Sequence, residues 1–257
     1  MSRPGWYRAG RNPQTALLDC VLGMAIACPP MLLSDSPVSD RAYNPRSAAT
    51  DWANRLTRCI AGLALFGAGI ALILQAGLGA APWDMLHKGI SEHIGVSVGL
   101  VIEAVGFLLL LVWIPLGQRP GIGTILNAFE IGFVLDLVTP HLPDTERLVP
   151  RLAFLIIGVL VIAVGSGLYI GAGLGAGPRD GIMVGLSRRG LSVGVARTMI
   201  EFSVGIGGML LGVRPGIGTV VFIVGIGPLV QVLLPRLSLP PRRARAFEMP
   251  VETAAAD

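Results

Sequence analysis

The sequence predicts an all-α membrane protein: six transmembrane helices in two inverted three-helix repeats, each with a short broken or interfacial helix. Three observations carry this. The 257 residues are 53% hydrophobic and only 14% charged, with mean hydropathy +0.70, whereas a soluble domain carries roughly 25% charged residues. A water-soluble fold of this size could not cover so much apolar surface, and exposed patches of that extent drive aggregation. Six apolar runs, 56–76, 97–116, 121–139, 152–172, 194–212 and 216–235, each reach the roughly 20 helical residues that a bilayer core requires. Finally, AGLGAAPWD at 76–84 returns as AGLGAGPRD at 172–180, with seven of nine positions identical. The many ten-residue alternating strands of a transmembrane barrel are missing.

In chain order, residues 1–54 read as a basic, poorly ordered tail containing Arg3, Arg8, Arg11, Arg41 and Arg46. Within it TALLDCVLGMAIACPPMLL imitates a signal peptide or a lipobox ending at Cys28, but Asp19 and Ala25 fit neither well. A poorly ordered tail, or an over-early start with Met31 available, is expected instead. Residues 55–140 form the first three-helix repeat and 151–236 the second, and 237–257 form a solvated C-terminal tail.

The second repeat echoes the first along its length. GVSVG at 95–99 returns as GLSVG at 190–194, RPGIGT at 119–124 returns unchanged at 214–219, and Arg55-Leu56 matches Arg151-Leu152. The offset is 96 residues at first and 95 later, so one deletion reconciles the copies. A soluble solenoid would need more and shorter units.

Orientation follows from the basic residues. With both tails cytoplasmic, thirteen Lys and Arg side chains fall inside and four outside, leaving out the distal arginines of the tail. Residues 85–95 and 142–150 are then extracytoplasmic, and 181–190 cytoplasmic. An odd number of spans per repeat makes the two copies face opposite ways.

The recurring phrase breaks a helix twice. Gly77 and Gly79, or Gly173 and Gly175, end one helix, and Pro82 or Pro178 opens the next at its first turn. Asp84 or Asp180 follows in that turn, where a carboxylate suits the positive end of the helix dipole. Residues 83–93 and 179–189 are too short and polar to span, so they lie at the interface or dip partway in. The bland reading is a capped turn used twice. The functional reading is a pair of broken helices framing a central site, as in many secondary transporters.

These phrases carry a resemblance. GLGAAPWD, GVSVG and RPGIGTI in the first copy, with GLGAGPRDG, RTMIE and GIGT in the second, resemble the YczE/YitT-type family of bacterial integral membrane proteins, and more closely its YczE branch. The match covers about residues 55–236. It implies a six-span protein of the bacterial cytoplasmic membrane and brings no catalytic or cofactor residues with it.

Ionisable groups inside spans are costly and usually face a cavity or a partner. Glu130 stands about ten residues into the third span with Asn127 one turn earlier, Glu103 lies in the second, and Arg197 and Glu201 share a face of the fifth. Their repeat counterparts are Gly225 for Glu130 and Thr198 for Glu103, so each half acquired its own charges. Glu130 is expected to line a polar cavity and exchange a proton, with Glu103 on the outer approach and Arg197 with Glu201 on the inner. The bland readings are a hydrogen-bonded packing residue and a structural ion pair.

Other signals exclude functions. GVSVG and GLSVG fit G-x-S-x-G, but they precede membrane spans rather than sit in a strand-turn-helix; Ser97 and Ser192 are expected to cap helices. Cys20, Cys28 and Cys59 show neither metal nor disulfide spacing, and no basic cluster is interleaved with aromatics. His87, His93 and His141 read as structural or interfacial. The expectation is a non-enzyme without cofactor or metal that transports a small molecule. Its partners are the lipid bilayer and a solute, not nucleic acid, with a homo-oligomer left open. The alternatives are a membrane scaffold or regulator and the substrate-binding subunit of a larger transporter.

Overall fold

A computed structural model describes residues 45–187 and 189–240. Among the described residues the chain is all helical: α1 (Pro45–Ala76), α2 (Pro82–Ile94), α3 (Val98–Leu116), α4 (Ile122–Val138), a 3-10 turn (Thr139–His141), α5 (Leu148–Gly171), α6 (Pro178–Ser187), α7 (Val193–Leu210) and α8 (Ile217–Leu237). α1 begins at Pro45, so the last residues assigned to the N-terminal tail are helical. The signal-like stretch, Cys20, Cys28 and the end of the C-terminal tail lie outside the described residues.

Among the described residues five helices are long and apolar enough to cross a membrane: α1, α3, α4, α5 and α8. α7, which corresponds to the fifth expected span and carries Arg197 and Glu201, is not among them. Large apolar side chains such as Leu108, Leu111, Ile114, Phe202 and Val224 are exposed. That is a liability in water and the natural state in lipid.

α1 and α5 form the central seam. Half of the apolar window of each is buried, against 11% for α8. A Cβ added at Gly62 would lie 2.7 Å from the Gly165 carbonyl oxygen, and one at Gly69 would lie 2.9 Å from that of Gly158. Rising numbers on one helix meet falling numbers on the other, so the pair is antiparallel. Between helices in lipid there is no hydrophobic drive, and small residues that let backbones touch supply the van der Waals contact instead.

The recurring phrases make matching contacts. Gly218 N–H of α8 donates to the Leu78 carbonyl at 2.7 Å, and Gly123 N–H of α4 donates to the Leu174 carbonyl at 3.0 Å. Each break is thus docked on the helix that RPGIGT begins. Gly79 and Gly175 hold positive φ, at 109° and 138°, and a side chain there would strike Gly216 or Thr124. Arg151 donates to the Ala76 and Gly77 carbonyls, both at 2.7 Å, and Arg55 to the Ala172 carbonyl at 3.1 Å. These guanidinium groups satisfy the orphan carbonyls at the two helix ends and complement their dipoles. Ser97 and Ser192 cap α3 and α7 through the Leu100 and Val195 N–H groups, at 3.3 and 3.2 Å.

Candidate functional site

Gly77 lies beside Arg151 at the start of α5, and Gly173 beside Arg55 near the start of α1. The breaks therefore sit at opposite ends of the seam, yet the short helices that follow bring their first turns together. Trp83, Asp84 and His87 of α2, with Pro178 and Arg179 of α6, line one cavity of about 40 Å³. Asn127 of α4 adds an amide, and Ile70, Ile102, Val105, Leu109 and Ile131 form an apolar wall.

The local sequence explains each placement. Pro82 and Pro178 open α2 and α6, so their first-turn N–H groups have no intrahelical partner. Trp113 of α3 donates its indole N–H to the Pro178 carbonyl at 2.7 Å, and its ring occupies the space that any side chain at Gly181 would need. This fixes the entrance to α6. Opposite, Gly208 of α7 lets α2 approach at Met85.

The electrostatics are uneven. The Arg179 guanidinium lies over the rings of Phe66 and Trp83, 5.7 and 5.8 Å from their centroids. Among the described residues the ion pairs are Arg55–Asp51 and Lys88–Glu92, so Arg179 is in neither. Burial pushes the Asp84 carboxyl up to about 6, opposed by Arg179 and assisted by Glu201. Burial, with Arg179 beside it, pulls His87 down to about 3, so the imidazole is neutral. His87 Nδ1 and Trp83 Nε1 are buried with no hydrogen-bond partner. Next to the cavity Tyr169 donates to Asp180 at 3.3 Å. A side chain at Gly177 would crowd Asp180, Asn127 and Tyr169.

Of the residues expected from sequence, Asn127, Asp84 and Pro178 line the cavity. Glu130 does not; it lies near Cys59 of α1. Glu103 packs on Gly132 at the α3–α4 contact. Arg197 and Glu201 make no ion pair with each other among the described residues, and Glu201 approaches Asp84 instead. Among the described residues no group of His, Cys, Asp and Glu side chains is placed to hold a metal ion.

Sequence reasoning missed Trp83, His87 and Arg179 as cavity residues. A signal was present: the nine-residue phrases differ only at 81/177 and 83/179. Arg179 and Trp83 face the cavity, and Gly177 leaves space for the polar cluster beside it. The duplicated phrase kept its scaffold and changed at the site.

Fold and site together define a multi-pass helical membrane protein with a small, partly polar cavity between two broken helices. The chain belongs to a family of unknown function, DUF6198, whose profile matches residues 53–235. It is 41% identical over 173 residues to an "Uncharacterized protein" of Haemophilus influenzae, covering 67% of this chain and 79% of that one. It is 32% identical over 191 residues to the "Uncharacterized membrane protein YczE" of Bacillus subtilis, covering 71% and 86%, so the resemblance read from the motifs holds. It is also 28% identical over 181 residues to the "Uncharacterized protein YyaS" of Bacillus subtilis, covering 68% and 89%. No solved structure matches the chain.

Proposed function

We propose that this protein is a small-molecule transporter of the bacterial cytoplasmic membrane, built from two oppositely oriented three-span halves with both termini in the cytoplasm. One observation carries the reading: the first turns of two broken helices, one from each half, line the same small, half-open cavity and bring Asp84, His87 and Arg179 to its largely apolar wall. Broken helices that meet between inverted repeats are the arrangement by which secondary transporters hold a solute while the halves rock around it. The antiparallel α1–α5 seam and the matched contacts of Arg55 with Arg151 support the inverted relation. α7 serves as the sixth span in this reading, with Glu201 half-buried and within electrostatic reach of Asp84.

A thermal-shift screen of the purified protein identifies selective solutes, since a ligand that prefers the folded state stabilises it by mass action. Those solutes are then offered to reconstituted vesicles. The expected result is uptake by wild type and loss of uptake in Asn127→Leu with insertion unchanged. A solute that binds selectively in the cavity but never crosses the bilayer would contradict transport and leave a scaffold or binding subunit.

A further inference from the structure

The cavity is rich in unused donors. Trp83 is 3% exposed and its indole nitrogen can only donate, yet nothing accepts from it. His87 is 6% exposed with Nδ1 equally unpartnered. Buried polar atoms of this kind cost free energy until an acceptor arrives. Arg179 brings a full positive charge that no carboxylate neutralises within ion-pair distance among the described residues, and both short helices contribute the positive ends of their dipoles.

Against this stands one carboxyl group in the wall, Asp84. Its neighbours are His87 on its own helix, Arg179 on α6 and Glu201 on α7. Arg197 of α7 is exposed, and the cavity residues of α3 and α4 carry no charge. Asp180 stands beside the cavity, accepting from Tyr169, so Asp84 is the carboxyl group of the lining itself: ionised, it competes with any anion for Arg179, and protonated, it becomes one more donor. The volume of about 40 Å³ admits about three waters, at roughly 10–15 Å³ each, or a solute of three or four heavy atoms.

We propose that the cavity binds a small monovalent anion of the size of a short carboxylate, held by Arg179, Trp83 Nε1 and Asn127, and that a proton binds with it on Asp84. This names the substrate class for the transport reading and rests on it only for movement, not for binding. The raised Asp84 carboxyl accords with the proton: anion affinity is full below its titration and falls as pH rises through about 6.

Formate, formamide and formamidinium share one shape and carry charges of −1, 0 and +1, and formate stays ionised at both about pH 5 and about pH 8. Calorimetry on the full-length protein in nanodiscs, in two buffers of different ionisation enthalpy, is expected to show formate binding at least about tenfold tighter at the lower pH. Near pH 7, where Asp84 starts ionised, binding takes up a proton; the other two probes give no heat. Asp84→Asn should bind formate equally at both pH values with that uptake abolished. Trp83→Phe keeps the ring under Arg179 and removes one donor to a charged group, so affinity should fall about tenfold or more. Arg179→Gln should abolish binding. Folded wild-type protein that prefers formamide or formamidinium, binds none of the three, or leaves pH dependence intact in Asp84→Asn overturns the assignment. Formate binding without formate flux in vesicles keeps the anion site and sinks transport. Flux of an uncharged or cationic solute without formate binding does the reverse.

Discussion

The two halves share their phrases but not their packing. In the first, α3 lies along α4, with Gly99 and Gly132 so close that a Cβ on Gly132 would strike the Gly99 carbonyl oxygen. Asp136 closes that contact by accepting from Ser97 Oγ and, at 2.9 Å, from Gly99 N–H. In the second, α7 and α8 barely touch, and nothing lies within 4 Å of a Cβ on Gly227, the counterpart of Gly132. The sequence holds the cause. Gln231 stands where Asp136 would be, and Pro228, inside α8, removes a backbone donor where the first half has Phe133. In one half α4 joins α3 to α1; in the other α5 holds α8 and α2 holds α7.

This contrast is open to direct attack. Gly132→Ala should destabilise the protein by about 3 kcal/mol through overpacking against backbone, whereas Gly227→Ala should change stability by less than about 0.5 kcal/mol. Unfolding in mixed micelles measures both, and equal losses would remove the asymmetry. Asp136→Ala comes next, at about 2 kcal/mol, because a helix cap and a hydroxyl partner are lost together; Gln231→Ala should cost under about 0.5 kcal/mol.

Hydrogen exchange at equilibrium should find amides of α7 exchanging faster than those of α3, since α7 lacks the neighbour that α3 has. Matching protection would mean that α7 and α8 close in the bilayer. The smallest effect is a pH dependence. Asp84 titrates at about 6 when folded against 3.8 for the free group, so the folded state binds more protons and stability falls as pH rises through that window. Asp84→Asn should flatten that slope; an unchanged slope would place the titration elsewhere.

The membrane class, five of the six expected spans and the helix breaks were legible in the sequence because each rests on a local pattern: apolar run length, Gly followed by Pro, a Ser before a helix. The roles of Ser97 and Ser192 were readable for the same reason. What was not legible is how far each short helix reaches. Depth along a span pointed to Glu130 as the central polar residue, but which face of α4 meets the cavity depends on the contact with α1, and that turns Asn127 inward and Glu130 toward Cys59. Arg197 and Glu201 are four residues apart, yet tertiary contact with α2 takes Glu201 toward Asp84. Position along a helix is local information; rotation about its axis is not.

Two breaks at opposite ends of one seam send their helices to a single cavity. Cysteines at 83 and 179, in a background with Cys20, Cys28 and Cys59 replaced, can be joined by a short bifunctional maleimide, and a protease site placed within 142–147 then cuts the chain between the halves. Pairs at 58/237, where Arg58 donates to the Leu237 carbonyl at 3.0 Å, and 77/173 serve as near and far controls, the latter separated by most of the length of α5, about 35 Å at a rise of about 1.5 Å per residue. The 83/179 and 58/237 pairs are expected to hold the cut halves together on a denaturing gel while 77/173 lets them part. Halves that separate for 83/179 while 58/237 stays linked would contradict the shared cavity.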